Sequence, residues 1–161
     1  RHCGIHVTLL ELSEKKMQRL RKFGLIETGF TEANNIPANS FDVVFNASGN
    51  ARGLQSAIDA AGYEGRIVEL TWHGDHPFDL AFNTHFHRLR KTIISSQVGT
   101  IPSHLASRIN RERRNQLVLN LLAKKDAACL ITRTISFTDM PEYMVGLYEN
   151  QHDDIITLVE Y

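Results

Sequence analysis

The alternation of apolar and polar positions divides the chain into short strands and amphipathic helices, and the clearest unit lies near its middle. The run FDVVFNASGN, residues 41–50, begins apolar and β-branched and then turns small and polar, which predicts a buried strand ended by Ser48 and Gly49. Asn50 can cap a helix whose apolar residues recur at helical spacing. These apolar residues are Leu54, Ala57, Ile58 and Ala61, with a stop at Gly62. A strand over 66–72 follows, so the segment predicts a βαβ unit with a parallel crossover.

The rest of the chain continues this alternation of strands and helices. Further strands are predicted at residues 5–12, 26–30, 78–82, 92–97, 130–137 and 155–161. Helices are predicted from a Ser13 cap to a stop at Gly24, over 105–123 and over 140–148, the last with Pro141 in its first turn. Together these elements predict an α/β fold with a mostly parallel sheet covered on both faces.

Composition and charge exclude several classes of partner. The chain has 161 residues and a formal net charge of +0, so it carries no excess of charge that would favour binding to nucleic acid or to a membrane surface. An arginine cluster at 108–114 lacks interleaved aromatic residues and favours a solvated helix face. No apolar run approaches the roughly 20 residues of a membrane span. Cys3 and Cys129 share no metal or redox spacing and fit reduced thiols in a cytoplasmic protein.

The carboxyl ends of the predicted strands are the places to look for a ligand, because parallel α/β sheets bind ligands at that edge. Four stretches end strands in this way: Glu11, residues 47–50, residues 70–73 and residues 95–99. Glu11 can accept both hydroxyls of an adenosine ribose and would repel a 2′-phosphate, with Lys16 covering the ribose or adenosine from the next helix. Taken alone, these two residues favour the plainer interpretation of a solvated acid beside a surface lysine. The sequence contains neither G-x-G-x-x-G nor a Gly-Lys-Ser/Thr phosphate loop.

Two further features have competing interpretations. His85-Phe86-His87, with His73 and His76 nearby in sequence, could chelate a metal, but cysteine and carboxylate partners at ligand spacing are lacking, so packing or an interface is favoured. Glu69 stands in an otherwise apolar run and needs a partner if it is buried. The sequence does not name that partner.

Three runs in order, FDVVFNASGN, GRIVELTWHGD and KTIISSQVG, resemble the medium-chain dehydrogenase/reductase superfamily, in particular its zinc-containing alcohol, polyol and threonine dehydrogenase branch. The resemblance covers nearly the whole chain and implies a Rossmann-like, doubly wound sheet. It implies an NAD-binding domain over residues 1–130, and a segment over 131–161 that returns toward a catalytic domain. The first strand and its glycine-rich turn, the zinc ligands and the structural zinc lobe are lacking, and Ile156 stands where the family often has an arginine that meets the pyrophosphate.

The resemblance also implies which residues contact the cofactor. Glu11 and Lys16 correspond to the positions that bind the adenosine ribose. The turn after the central strand borders the adenosine and nicotinamide, and the next two strand ends offer backbone groups to the carboxamide. These cofactor-contacting residues are Ala47, Ser48, Gly49, Leu70, Thr71, Trp72, Ser96 and Gln97. No catalytic and no metal-ligating residue is carried over to this chain.

The function implied is hydride transfer between NAD and a small alcohol or carbonyl substrate, by a longer parent enzyme that carries zinc in its catalytic domain. By itself the chain is expected to be inactive. A zinc-free quinone- or enoyl-reductase-like enzyme using NADPH is one alternative, against which Glu11 counts. A non-catalytic nucleotide-binding or dimerisation module is another. A homodimer is expected through residues 78–94, from Phe78 to Ile94, because an apolar edge strand there needs a partner.

Overall fold

The computed structural model describes residues 4–75, 77–82, 84–123, 127–149 and 152–161, in which strands and helices alternate. The strands are β1 (Thr8–Leu10), β2 (Thr28–Phe30), β3 (Phe41–Asn46), β4 (Ala61–Glu69), β5 (Thr92–Ser95), β6 (Ile131–Ser136) and β7 (Ile156–Glu160). The helices are α1 (Glu14–Lys22), α2 (Ala51–Ala60), α3 (Thr84–Arg88), α4 (Arg111–Ala123) and α5 (Met140–Tyr148). Short 3-10 turns lie at Ala33–Asn35, Ala127–Leu130 and Phe137–Asp139. The described residues form two compact units, one from 1–32 and 103–161 and the other from 33–102.

The unit formed by residues 33–102 contains the βαβ segment that the sequence predicts. Strands β3, β4 and β5 form a parallel sheet in that order, and α2 makes the crossover from β3 to β4. Asn50 caps α2, because its side-chain Oδ1 accepts from the Gly53 N–H at 2.9 Å. Apolar residues of α2 and β4 form the core of this unit, with Val44, Leu80, Phe86 and Ile93 packed against it. The core residues are Leu54, Ala57, Ile58, Ala61 and Ile67.

The second face of the same sheet is more open. Val43 and Phe45 alternate with the core-facing Val44 along β3, and Ile94 follows the core-facing Ile93 on β5. All three remain exposed, at 45%, 65% and 44% of their surface respectively. Within the described residues of this unit, the helical cover therefore lies on one face, whereas the sequence pattern predicts cover on both.

The other unit contains two parallel strand pairs. β1 pairs with β2, and α1 connects them. Ser13 caps α1 through a bond from the Lys16 N–H to its Oγ at 3.3 Å, Met17 is fully buried, and Gly24 ends the segment at a φ of 63°. β6 pairs with β7, and α5 lies between them in sequence with Pro141 near its start. These elements confirm the predicted strands and helices at both ends of the chain.

Some predicted boundaries are wrong. β4 begins at Ala61, which the sequence pattern assigns to the preceding helix, and it ends at Glu69, so that Thr71 and Trp72 lie in a turn. The strand ends there because the Thr71 N–H donates to the Glu69 carboxylate at 3.0 Å and not to a neighbouring strand. The strands also divide into three separate parallel sheets where the sequence pattern suggests one.

The apolar alternation of Phe78, Leu80 and Phe82 does not form the predicted strand. Leu80 packs against the core of the unit, and the Ala81 N–H donates to the side chain of Gln55 at 2.8 Å. An apolar contact with the core and a hydrogen bond to the Gln55 side chain therefore hold this segment. The Ala81 N–H, which a strand would use for pairing, is bonded to that side chain instead.

The helix predicted over 105–123 begins only at Arg111. Residues before it form turns, in which the Arg108 and Ile109 N–H groups both donate to the Leu105 carbonyl at 2.9 Å. Asn110 then caps the helix, because its Oδ1 accepts from the Arg113 N–H at 2.8 Å. Across the described ranges, the structure has no helix of the length and apolarity that a bilayer crossing requires.

Candidate functional site

A closed network of hydrogen bonds joins the carboxyl ends of β3 and β4. Asn46 and Glu69 are the last residues of these strands and are paired in register. The Asn46 Nδ2 donates to Glu69 Oε2 at 2.6 Å, while Glu69 Oε1 accepts from the Thr71 hydroxyl at 2.7 Å and from the Thr71 N–H at 3.0 Å. The Gly49 N–H donates to Thr71 Oγ1 at 3.1 Å, and the Ser48 N–H to Asn46 Oδ1 at 3.2 Å. The network therefore holds both turns that follow these strands.

The turn after β3 has a conformation that depends on small residues. Gly49 lies at a φ of 67°, a region that side-chain-bearing residues rarely adopt. Ser48 Oγ donates to the Asn50 carbonyl at 3.3 Å, and Asn50 caps α2 directly behind the turn. The predicted residues Ala47, Ser48 and Gly49 are all exposed, so a ligand can reach them.

The turn after β4 has fewer free backbone donors than the resemblance implies. The Leu70 N–H already donates to the Asn46 carbonyl at 2.9 Å, and the Thr71 N–H to Glu69. Trp72 is exposed over 78% of its surface.

His73 adds an enclosed imidazole next to the network. Its Nε2 lies 3.2 Å from Glu69 Oε2, and its ring packs against Phe78 with the centroids 5.0 Å apart. Both ring nitrogens are buried, and the angles at Nε2 do not meet hydrogen-bond criteria, so this contact is a close approach and not a directed bond.

The hydrogen bonds at Glu69 also set its acidity. Partial burial by itself would raise the pKa of this carboxyl, but hydrogen bonds from Thr71 and Asn46 favour the carboxylate and hold the pKa below its ordinary value of 4.5. A carboxyl whose pKa is lower in the folded chain stabilises the fold above its unfolded pKa, and this contribution is lost as the pH falls through the folded value.

We therefore expect the wild-type chain to lose stability below the ordinary pKa of 4.5, and Glu69→Gln to lose less over the same range. The difference should be about 1.5–3 kcal/mol, the scale of a hydrogen bond to a charged group. Urea unfolding of both proteins, from neutral pH down to about pH 3, measures it. If the free energy of unfolding depended on pH in the same way in both proteins, the lowered pKa of Glu69 would be contradicted.

Gly53, in the first turn of α2, faces the same loop. A Cβ at this position would overlap both Oγ and Cβ of Ser48. Gly53→Ala should therefore destabilise the fold by about 1–3 kcal/mol, because the backbone at 48 must shift. An ordinary helical Gly→Ala change is instead stabilising by about 0.5–1 kcal/mol.

Urea unfolding of Gly53→Ala and of Ser48→Gly/Gly53→Ala tests this contact. The double variant removes the overlapping atoms. It should therefore be more stable than Ser48→Gly alone, by the amount usual for a helical Gly→Ala change. A stabilising effect of Gly53→Ala in the wild-type background would show that no close contact exists.

Glu11 lies directly after β1, at the strand end where the sequence places it. Its Oε1 accepts from the Ser13 N–H at 2.8 Å, and its own N–H donates to the Phe30 carbonyl at 3.0 Å. Ser13 in turn caps α1 at Lys16, so one chain of contacts orients both predicted ribose-binding residues. Glu11 and Lys16 are each partly exposed, which leaves their charged groups accessible to a ligand.

Ser96 and Gln97 follow β5 as predicted. The Ser96 N–H donates to the Glu69 carbonyl at 2.8 Å, which extends the ordered edge by one strand. Gln97 folds its side-chain Oε1 back onto the Gly99 N–H. The structure thus brings together the predicted residues that follow β3, β4 and β5 at one edge of a single sheet.

The sequence alone did not assign two residues of the network, Asn46 and Glu69, to this edge, whereas His73 falls within the predicted stretch 70–73. Asn46 is 5% exposed and closes the network, Glu69 is its central acceptor, and His73 contacts Glu69. The indication available in the sequence was a polar residue at the last position of each of two neighbouring strands. Because parallel strands end at one edge, such residues meet.

The histidine, cysteine and acidic side chains that could bind a metal ion are considered separately from the strand ends. Among the residues that the structure describes, no three His, Cys, Asp or Glu side chains cluster closely enough to hold a metal ion. His76 and Cys3 lie outside the described residues. Cys129 is a free thiol in the structure.

Comparison with known proteins relates this architecture to dehydrogenases. No family model matches the chain, and no curated protein sequence matches it. Among solved structures it is similar to L-idonate 5-dehydrogenase from Escherichia coli, with a TM-score of 0.70 and 13% identity over 97% of this chain and 43% of that one. It is similar to 2R,3R-butanediol dehydrogenase from Bacillus subtilis, with a TM-score of 0.67 and 18% identity over 97% and 44% of the two chains.

A third solved structure, an Escherichia coli protein with bound NADPH, has a TM-score of 0.66 and 16% identity over 97% of this chain and 47% of that one. The chain thus spans less than half the length of the structures it matches. These likenesses confirm the Rossmann-like fold with parallel strands, and the resemblance to alcohol and polyol dehydrogenases, at the level of the fold.

Proposed function

We propose that this chain supplies the cofactor-binding site of an NAD-dependent, alcohol dehydrogenase-like oxidoreductase. The observation that carries the proposal is the edge formed by β3, β4 and β5, where the predicted cofactor-contacting turns are ordered side by side. The fold match to dehydrogenases supports it, because ligands of such sheets bind at the carboxyl ends of the strands.

Each of the two units contains residues of the kinds that bind part of a nicotinamide dinucleotide. Glu11 offers a carboxylate for the ribose hydroxyls, and Lys16 follows it on α1. Within the unit formed by residues 33–102, the turns at 47–49 and 70–72 offer small residues and carbonyl groups that suit a nicotinamide, together with Ser96 and Gln97. NAD supplies a hydride acceptor when bound, and this chain's residues hold and orient it. Because a carboxylate repels a 2′-phosphate, Glu11 favours NAD over NADP.

The substrate proposed is a small alcohol or the matching carbonyl compound. Zinc in a catalytic domain outside this chain would polarise the substrate oxygen, and residues 131–161 would belong with that domain. A cytoplasmic location and a homodimer through 78–94 complete the proposal. Phe82, exposed over 57% of its surface and in edge contact with Phe86 at 4.7 Å, is the apolar side chain that such a dimer would cover.

The test is hydride transfer by the natural gene product. Purified protein is mixed with NAD and a panel of primary, secondary and polyhydric alcohols, and the formation of reduced nicotinamide is followed. We expect turnover with at least one alcohol, and loss of that turnover after zinc chelation with recovery on re-addition of zinc.

Turnover that survives chelation and complete metal removal would favour the zinc-free reductase alternative. Cofactor binding without turnover of any alcohol or carbonyl would favour the nucleotide-binding module. Absence of both binding and turnover would refute the proposed function.

A further inference from the structure

We propose that Glu69 is a positioning residue that sets the geometry of both cofactor-facing turns at once, and that the Asn46–Glu69 pair bonds the turn after β3 directly to the carboxylate. This inference rests on the proposed function and adds to it, because Glu69 is not among the residues expected to contact the cofactor. It acts through Thr71 and Asn46, which hold the turns that do.

The geometry gives Glu69 this central place. Its two oxygens accept from donors that belong to different turns: Thr71 on its own turn at 2.7 and 3.0 Å, and Asn46 at the start of the other at 2.6 Å. Thr71 Oγ1 then accepts from the Gly49 N–H at 3.1 Å, and Asn46 Oδ1 from the Ser48 N–H at 3.2 Å. The turn after β4 is therefore bonded to the carboxylate through Thr71, and the turn after β3 through both Asn46 and Thr71.

Both terminal side-chain atoms of residue 69 must be hydrogen-bond acceptors, because each of them faces a donor. The Asn46 Nδ2 and the Thr71 N–H can only donate, so both must face an acceptor. A carboxylate supplies two acceptors, whereas a glutamine amide supplies one acceptor and one donor. In Glu69→Gln, one of the two contacts must therefore become donor against donor, and one turn loses its bond to residue 69.

The surroundings of Glu69 support this role. Its side chain is only 11% exposed, and so is that of His73, so water cannot readily replace a lost partner. The same donors lower the pKa of the Glu69 carboxyl against the effect of burial, so the group is a carboxylate at neutral pH.

A reciprocal exchange tests the pair. In Asn46→Asp, two carboxylates face each other where a donor and an acceptor now lie 2.6 Å apart. In the double variant Asn46→Asp/Glu69→Gln, the amide introduced at position 69 donates to the carboxylate introduced at position 46, and the carbonyl oxygen of that amide accepts from Thr71. The second carboxylate oxygen at position 46 still accepts from the Ser48 N–H. The double variant thus restores every contact with the direction of one bond reversed.

The matched control is Glu64→Gln on the same strand. Glu64 forms an exposed ion pair with Arg90 at 3.0 Å and contacts neither turn. All variants are made in the natural gene product, and the NADH dissociation constant, the cofactor and substrate KM values and kcat are measured for each.

We expect each single variant at 46 and 69 to raise the NADH dissociation constant and cofactor KM about tenfold, on the scale of one hydrogen bond to a charged group. The substrate KM should stay unchanged. The double variant should return to within about twofold of wild type, and Glu64→Gln should match wild type. A purely structural role would lower kcat by reducing the folded fraction and leave the cofactor KM unchanged.

Two results would overturn the inference while leaving the proposed function intact. One is wild-type cofactor affinity in Glu69→Gln, and the other is a double variant that binds NADH as weakly as the single variants. A wild-type protein that binds no nicotinamide cofactor would overturn the proposed function, and the positioning role with it.

Discussion

Replacing Ile67 by alanine is expected to destabilise the fold by about 2–5 kcal/mol, the range typical of a fully buried isoleucine. Ile67 is fully buried on the central strand β4, in contact with the α2 residues of the core. Its removal loses the transfer free energy of three methyl or methylene carbons and leaves a cavity in the sheet that carries the site. Urea unfolding, with the midpoint and slope fitted together, measures the loss.

Ile94→Ala is the matched control. Ile94 lies on the neighbouring strand β5 and is exposed over 44% of its surface, on the open face of the same sheet. The same atoms are deleted, so the intrinsic strand preference changes equally, but no closed cavity forms. We expect a loss below about 1 kcal/mol. Equal losses for the two variants would mean that Ile67 is not in the core.

Glu11→Ala is expected to reduce the preference of the natural gene product for NAD over NADP by about 10- to 100-fold. Hydrogen bonds to a charged carboxylate contribute about 1.5–3 kcal/mol, and each 1.4 kcal/mol corresponds to a factor of ten. Loss of the carboxylate removes both the ribose acceptor and the repulsion of a 2′-phosphate. The ratio of kcat/KM values for the two cofactors measures the effect.

Glu14→Ala controls for a general loss of charge near α1. Glu14 lies in the first turn of the same helix and is bonded to Gln18 at 3.2 Å, so its replacement removes one carboxylate close to Glu11 without touching the ribose position. It should leave the cofactor ratio unchanged. Full retention of NAD selectivity in Glu11→Ala would contradict the ribose assignment.

The pattern of apolar residues predicts this fold well where local and tertiary preferences agree. The Asn50 cap, the buried face of α2 and the Ser13 cap all form as expected, because capping and helical periodicity are local properties. The segment of Phe78 and Phe82 was predicted wrongly for the opposite reason. Its alternation suits a strand, but Leu80 is held in the core and Ala81 is bonded to Gln55.

The candidate site was predictable in its position but not in its internal bonding. The four ligand-facing stretches at Glu11, 47–50, 70–73 and 95–99 follow from the parallel α/β pattern alone. The partner of Glu69 does not, because Asn46 lies 23 residues earlier and meets it only through the strand register. That register is a property of the packed sheet. The resemblance implied that Leu70 and Thr71 offer backbone groups to the carboxamide, whereas the structure already uses the N–H groups of both residues.

The most direct test of a nicotinamide site is equilibrium titration of the natural gene product with NADH and NADPH, followed by the fluorescence of the reduced nicotinamide. We expect saturable binding of NADH, with a dissociation constant on the order of micromolar, and binding of NADPH at least about tenfold weaker. If neither cofactor bound saturably, the proposal that this chain forms a cofactor-binding site would be contradicted.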